Sequence, residues 1–177
     1  MSGCLKPLRI LAADDDVDAA EMYRVALEGR GHIITVAHDG QECLDSYTSA
    51  IGKLKAAGKK PSSNEPFDAV VLDYQMPIMD GLEVAKEILS INPEQRIIFA
   101  SSFVKETLME SVRELNQVME LIQKPFEPDV LVDIVENVHS AGLMRNLRDI
   151  AGADASDTSD DQIQALLETL QKIQKAK

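Results

Sequence analysis

The chain has 177 residues, of which 45% are hydrophobic and 27% charged, with a formal net charge of −12. That is room for one good domain plus an extension, at an ordinary soluble composition. The acidic balance argues against broad contact with nucleic-acid phosphates or an anionic membrane surface, and no stretch approaches the ~20 apolar residues of a membrane span. "MSGCLKPLRI" has no apolar run of the signal-peptide kind, and Cys4 and Cys43 are too few for a disulfide framework or a cysteine zinc site. The expectation is a cytoplasmic protein with reduced thiols and neither a nucleic-acid nor a membrane partner.

Short apolar runs alternate with helical patterns. "LRILAA" (8–13) reads as a buried strand, followed by a helix in "DAAEMYRVALEGRG" with Met22, Val25, Ala26 and Gly29 at helical spacing. "HIITVA" (32–37) is a β-branched strand. "GQECLDSYTSAIGKLKAAG" then places Cys43, Leu44, Tyr47, Ile51 and Leu54 on one helical face. A basic, then Ser/Pro-rich insertion covers about 53–66, with Lys53, Lys55, Lys59 and Lys60 prominent in an acidic chain. It reads as a solvated helix end and loop, with a contact site for an acidic partner as the other reading. "FDAVVLD" (67–73) is a third strand, "DGLEVAKEILSI" a helix with Leu82, Ala85, Ile88 and Leu89 inward, and "QRIIFAS" (95–101) a fourth strand. "KETLMESVRELN" (105–116) is helical, "VMELIQ" (118–123) a fifth strand, and "EPDVLVDIVENVHSAG" a helix with Val130, Leu131, Ile134, Val135 and Val138 inward.

Five β-α repeats with continuously apolar strands imply a parallel sheet covered by helices on both faces. Its functional edge is then the carboxyl ends of the strands, near a topological switch point. The first strand ends at Asp14, Asp15 and Asp16, the third at Asp73, and the fourth at Ser101 and Ser102, while Lys124-Pro125 follow the fifth. Each alone reads as a turn former, a cap or a surface charge. Together they make a set that phosphoryl chemistry can use. Clustered carboxylates are hard oxygen ligands for a divalent cation. One carboxylate can attack phosphorus to give an aspartyl phosphate. A metal, an ammonium and a hydroxyl can hold the phosphoryl oxygens.

"ILAADDD", "VVLDYQMPIMDG", "IIFASS" and "QKPF", in that order, resemble the response-regulator receiver domain of two-component signalling over about residues 8–140. The resemblance implies a flavodoxin-like, doubly wound α/β fold with a five-stranded parallel sheet in the order 2-1-3-4-5. It implies that Asp73 is the phosphoacceptor. Mg²⁺ (or Mn²⁺) would be held by Asp15, Asp73 and the backbone carbonyl of Gln75, with Asp14 acting through water. Ser101 would be the switch hydroxyl and Lys124 the cation on the phosphoryl oxygens, with the Lys124–Pro125 bond cis. A histidine kinase or histidine phosphotransfer protein would supply the phosphoryl group. The response would then bias a protein-binding surface around the 105–116 helix, the fifth strand and the final helix. Such a domain is a switch that gains and loses its own phosphoryl group, not a turnover enzyme.

Two features depart from the family pattern. The switch position that is usually aromatic is Leu121, so a ring cannot carry the usual inward movement. Tyr74, Gln75 and Phe103 occupy positions that tune phosphoryl lifetime in the family. Asp16 matches no direct ligand and reads as the start of the first helix, as does Asp18.

Two other functions compete. "ILAADDDV" also fits the start of a haloacid-dehalogenase phosphatase, with Asp14 as nucleophile and Asp16 as acid, but no acidic strand end follows Lys124 and Asp73 would be unexplained. An interaction module that does not use phosphorylation is the other alternative, raised by Leu121. A calcium loop starting at Asp14 is rejected, because its sixth and twelfth positions are Ala19 and Val25.

The receiver is expected to span 1–140, with a helical extension over 141–177 and a polar linker over about 153–160. That extension is too short for an ordinary DNA-binding output domain, so output is expected through a downstream protein target. "SDDQIQALLETLQKIQKAK" carries a capping-box pattern at Ser159 and Gln162 and a stripe of Ile163, Leu166, Leu167, Leu170 and Ile173. A helix this short needs a surface to dock on: its own domain, a partner, or a second copy in a homodimer through 160–175.

Overall fold

The computed structural model describes residues 6–60, 65–102 and 120–137. Five strands, β1 (Arg9–Ala13), β2 (Ile33–Ala37), β3 (Ala69–Asp73), β4 (Ile97–Ser101) and β5 (Glu120–Gln123), form one sheet. Among the described residues the helices are α1 (Val17–Gly29), α2 (Gly40–Ala56), α3 (Gly81–Ile91) and α4 (Pro128–Glu136). The expected helix at 105–116, Phe103, and everything from residue 138 onward lie outside the described residues, and so does the centre of the 53–66 insertion.

The strand order is β2-β1-β3-β4-β5, and every neighbouring pair is parallel. The side-chain period of two divides the sheet's contents between two cores. Leu11, Ala13, Val70, Leu72, Ile97 and Phe99 point to the face covered by α2 and α3, and pack on Tyr47, Ile51, Val84 and Ile88. Ile10, Ala12, Val71, Ile98 and Ile122 point to the other face, against Tyr23 and Leu27 of α1 and Leu131 and Val135 of α4. Side chains of this size, fully withdrawn from water, each contribute roughly 1.5–3 kcal/mol. The continuous apolar character of β1, β3 and β4 is the mark of a sheet buried on both sides.

Two inward faces differ from those expected. On α1, Val25 is 63% exposed, and the buried positions are Ala20, Tyr23 and Leu27. On α4, Val130 is 40% exposed and Val132 is buried instead. Spacing alone admits neighbouring stripes, and the sheet beneath selects among them. Cys43 lies in the α2–α3 core, where burial pushes its thiol pKa up to about 12 and leaves it unreactive.

The amino-terminal end of the sheet is held by ionic and polar ties. Arg96 is 7% exposed. It forks onto Glu120 at 2.7 and 3.0 Å and donates to the carbonyls of Val135 (2.9 Å) and Ile134 (2.5 Å) in the last turn of α4, the latter also accepting from the Asn137 N–H at 3.3 Å. Glu136 accepts from Arg30 and contacts His32 Nε2 at 3.1 Å. The opposite, carboxyl-terminal edge collects the acids.

Candidate functional site

The "DDD" triplet leaves β1 and separates within three residues. Asp14 is fully buried, and its backbone N–H donates to Ala37 O at 3.1 Å, continuing the β1–β2 pairing by one residue. Both its oxygens are engaged: Oδ1 accepts from the Asp16 N–H (3.1 Å), and Oδ2 accepts from both the Tyr23 hydroxyl (2.6 Å) and Lys124 Nζ (2.6 Å). Asp15 is exposed. Asp16 is the N-cap of α1, in extended conformation, and accepts from the N–H groups of Asp18 (2.9 Å) and Ala19 (3.3 Å).

Asp73 is the last residue of β3, and the chain beyond it turns sharply. Gly81, the first residue of α3, makes that turn close: a Cβ there would lie 2.1 Å from the Asp73 carbonyl oxygen and 3.2 Å from Tyr74 Cα. The Gly81 N–H donates to Tyr74 O at 3.0 Å, and an Asp80–Glu83 capping box starts α3. Between them Ile78 stands at φ 72 and is 78% exposed, a left-handed conformation that β-branched residues rarely adopt. Gln75 lies in this loop with its side chain exposed.

Ser101 ends β4 and is 2% exposed, and its carbonyl accepts from the Lys124 N–H at 2.8 Å. That bond extends the β4–β5 pairing as far as the lysine. The Lys124–Pro125 peptide is cis. Lys124 Nζ thereby sits between two acids, 2.6 Å from Asp14 Oδ2 and 3.4 Å from Asp73 Oδ2. Leu121, on β5, is partly buried against the α2–α3 core.

The fold thus brings Asp14, Asp15, Asp73, Ser101 and Lys124 to one edge of the sheet. Carboxylate oxygens of Asp14, Asp15 and Asp73 all lie within 4.8 Å of one another. Burial raises the Asp73 pKa above its usual 3.8; the Lys124 charge opposes this, and the neighbouring Asp14 adds to it. Three carboxylates against one ammonium leave an excess of two negative charges, which suits a divalent cation. An all-oxygen donor set suits Mg²⁺ or Mn²⁺ over softer metals. The sheet edge can therefore hold a cation beside an aspartate with a lysine at hand, a geometry for charge neutralisation at phosphorus.

Tyr23 joins this group, and sequence reasoning missed it. A tyrosine in an amphipathic helix reads as core, and its ring is in fact wholly buried. Only the packing of α1 on the sheet brings its hydroxyl to Asp14. Its ring also stacks on Phe126, two residues past Lys124, with centroids 6.0 Å apart and planes 7° from parallel.

Residues 10–136 match the sequence model of the response regulator receiver domain. Response regulator MprA of Mycolicibacterium vanbaalenii is 32% identical over 127 residues, covering 71% of this chain and 48% of MprA, and MprA of Mycobacterium avium is equally similar over 126 residues. The chain thus spans about half the length of these relatives. The fold is shared with Vibrio cholerae chemotaxis protein CheY4 (TM-score 0.62, 22% identity, 75% of this chain and 99% of that one). It is shared also with a chain of the CheX-CheY-BeF3-Mg²⁺ complex from Borrelia burgdorferi (TM-score 0.61, 26% identity, 75% and 89%). No helix among the described residues is long and apolar enough to cross a membrane. With its sheet order, its edge of acids and lysine, and these matches, the chain belongs to the response regulator receiver domain family of two-component signalling.

Proposed function

We propose that Asp73 is the phosphoacceptor of this receiver, that a histidine kinase or histidine phosphotransfer protein is its donor, and that the phosphorylated form acts on a protein target. The observation that carries this reading is the placement of Lys124 Nζ 3.4 Å from Asp73 Oδ2, at an edge where three carboxylates converge. Asp73 is 13% exposed at its side chain, reachable yet partly desolvated. Asp14 has no exposure, and both its oxygens are engaged, so it is poorly disposed to be the nucleophile that a phosphatase reading requires.

In the transfer an Asp73 carboxylate oxygen attacks phosphorus, the phosphorus–nitrogen bond of the donor's phosphohistidine breaks, and the imidazole leaves with a proton. Lys124 pairs with the phosphoryl oxygens, and the Ser101 hydroxyl, one residue beyond the Ala100 that pairs with Asp73, captures one of them in the product. Asp15, Asp73 and the Gln75 carbonyl would hold Mg²⁺, with Asp14 acting through water, and the bound cation would supply charge neutralisation at the phosphoryl oxygens. Leu121 replaces a ring, so either its side chain moves less than the ring would or the change in shape travels by another route. The reading places the protein in the cytoplasm with its kinase, and leaves the domain a switch rather than a turnover enzyme.

Incubation of the full chain with Mg²⁺ and acetyl phosphate or a cognate phosphohistidine donor, read by intact mass, tests this. Wild type is expected to gain one phosphoryl group and Asp73→Asn none. Equal gain by both, or no gain by wild type with either donor, defeats it. Turnover of phosphomonoesters abolished by Asp14→Asn would favour the phosphatase.

A further inference from the structure

We propose that Tyr23 is a positioning residue of the phosphoryl site, its hydroxyl keeping Asp14 paired while Lys124 passes from Asp14 to a phosphoryl group on Asp73. This rests on the reading of Asp73 as phosphoacceptor. Lys124 lies 2.6 Å from Asp14 Oδ2 but 3.4 Å from Asp73 Oδ2, so its ammonium rests chiefly on Asp14. To serve a phosphoryl group it must loosen that contact. Asp14 is fully buried and cannot turn to bulk water for a replacement, and a water held by the cation would serve the metal side of its carboxylate. A buried carboxylate that loses its cation without another donor is strongly disfavoured.

Tyr23 supplies that donor. Its hydroxyl is 2.6 Å from the same oxygen that Lys124 occupies, Oδ2, while the Asp16 N–H holds Oδ1. When Lys124 departs, Asp14 therefore keeps a donor on each oxygen. The hydroxyl also shares the charge of Oδ2 beforehand, which weakens the hold of Asp14 on the lysine. Tyr23 is fixed in that place by burial and by its stack on Phe126, in the same turn as Lys124. Its hydroxyl bonds Asp14, and through Asp14 it acts on Lys124.

The test is a mutant cycle on the full chain, with binding of beryllium fluoride and Mg²⁺ as a phosphoryl analogue measured by titration calorimetry. Tyr23→Phe keeps the ring and the stack and deletes only the oxygen. It is expected to weaken analogue binding about tenfold, as loss of a hydrogen bond to a charged group implies. In a Lys124→Ala background the same deletion is expected to change affinity less than about twofold, because no lysine remains to be released. The rate of Asp73 phosphorylation by acetyl phosphate at saturating Mg²⁺ should fall in parallel in Tyr23→Phe alone. Wild-type affinity in Tyr23→Phe, or an equal loss with and without Lys124, overturns the proposal, the latter reducing Tyr23 to support of the fold. Failure of wild type to bind the analogue would instead overturn the reading of Asp73.

Discussion

Asp73→Asn is expected to stabilise the metal-free protein. Three neighbouring charges act on the Asp73 carboxylate, and burial acts on it as well. Asp14 has a carboxylate oxygen within 4.8 Å, a repulsion of about 3.5 kcal/mol at an effective dielectric of ~20. Lys124 at 3.4 Å returns about 5 kcal/mol on the same scale. The exposed Asp15 adds a screened repulsion of about 1 kcal/mol, so the charges nearly cancel. Burial then decides the sign, and it raises the pKa of Asp73. Removal of one unfavourable charge commonly stabilises by about 0.5–2 kcal/mol. Because the folded pKa lies above the unfolded one, the stability associated with the protonated form is fully present below about 3.8 and is lost as pH rises through the raised folded value. Asparagine, which cannot ionise, escapes that loss. At pH 7 in EDTA, thermal unfolding by circular dichroism should show Asp73→Asn melting about 3–6 °C above wild type. The gap should close as pH falls toward 3.8. Saturating Mg²⁺ should narrow it at neutral pH by stabilising wild type more than the variant. An Asp73→Asn protein that melts at or below wild type in EDTA at pH 7 would refute this balance of terms.

Gly81→Ala is expected to cost about 2–3 kcal/mol, measured by urea unfolding, because its Cβ must displace the Asp73 carbonyl from 2.1 Å, and to slow Asp73 phosphorylation by moving that turn. Ile78→Gly should raise stability by about 1 kcal/mol in the same assay, since relief of a β-branched residue at φ 72 outweighs the added chain entropy. Arg96→Met should destabilise by about 2–3 kcal/mol, removing the Arg96 donor from the half-buried Glu120 and from the carbonyls of Ile134 and Val135, and pairing it with Glu120→Leu should recover part of that loss.

The strands were legible because β1, β3 and β4 are apolar at every buried position except the terminal Ser101, a pattern no half-exposed strand shows. The start points of these strands and of β2 lie one or two residues later than the apolar runs suggest: His32, Phe67 and Gln95 are buried just ahead of the strands they border, and the half-buried Leu8 contributes only its carbonyl, which accepts from the Ile33 N–H at 2.8 Å. Helix faces were less legible. Cys43, Tyr47 and Ile51 lie inward as their spacing indicated, whereas on α1 the stripe through Val25 lost to the one through Tyr23. Both stripes are apolar enough, and only the position of the sheet separates them.

Chain order and residue type alone determined the repeating β-α pattern, hence a parallel sheet, hence a single edge at which Asp14, Asp15, Asp73, Ser101 and Lys124 must meet. That inference works because strand ends are local features and a parallel sheet aligns them. Tertiary structure decided which of the acids is buried and what each one touches. Asp14, Asp15 and Asp16 are identical in type and adjacent in sequence, yet one is sealed under Tyr23 and Lys124, one is exposed near Asp73, and one caps α1. The difference comes from groups 9 and 110 residues away along the chain, Tyr23 and Lys124, whose hydrogen bonds to Asp14 exist only once α1 and the β5 turn are packed against the same edge.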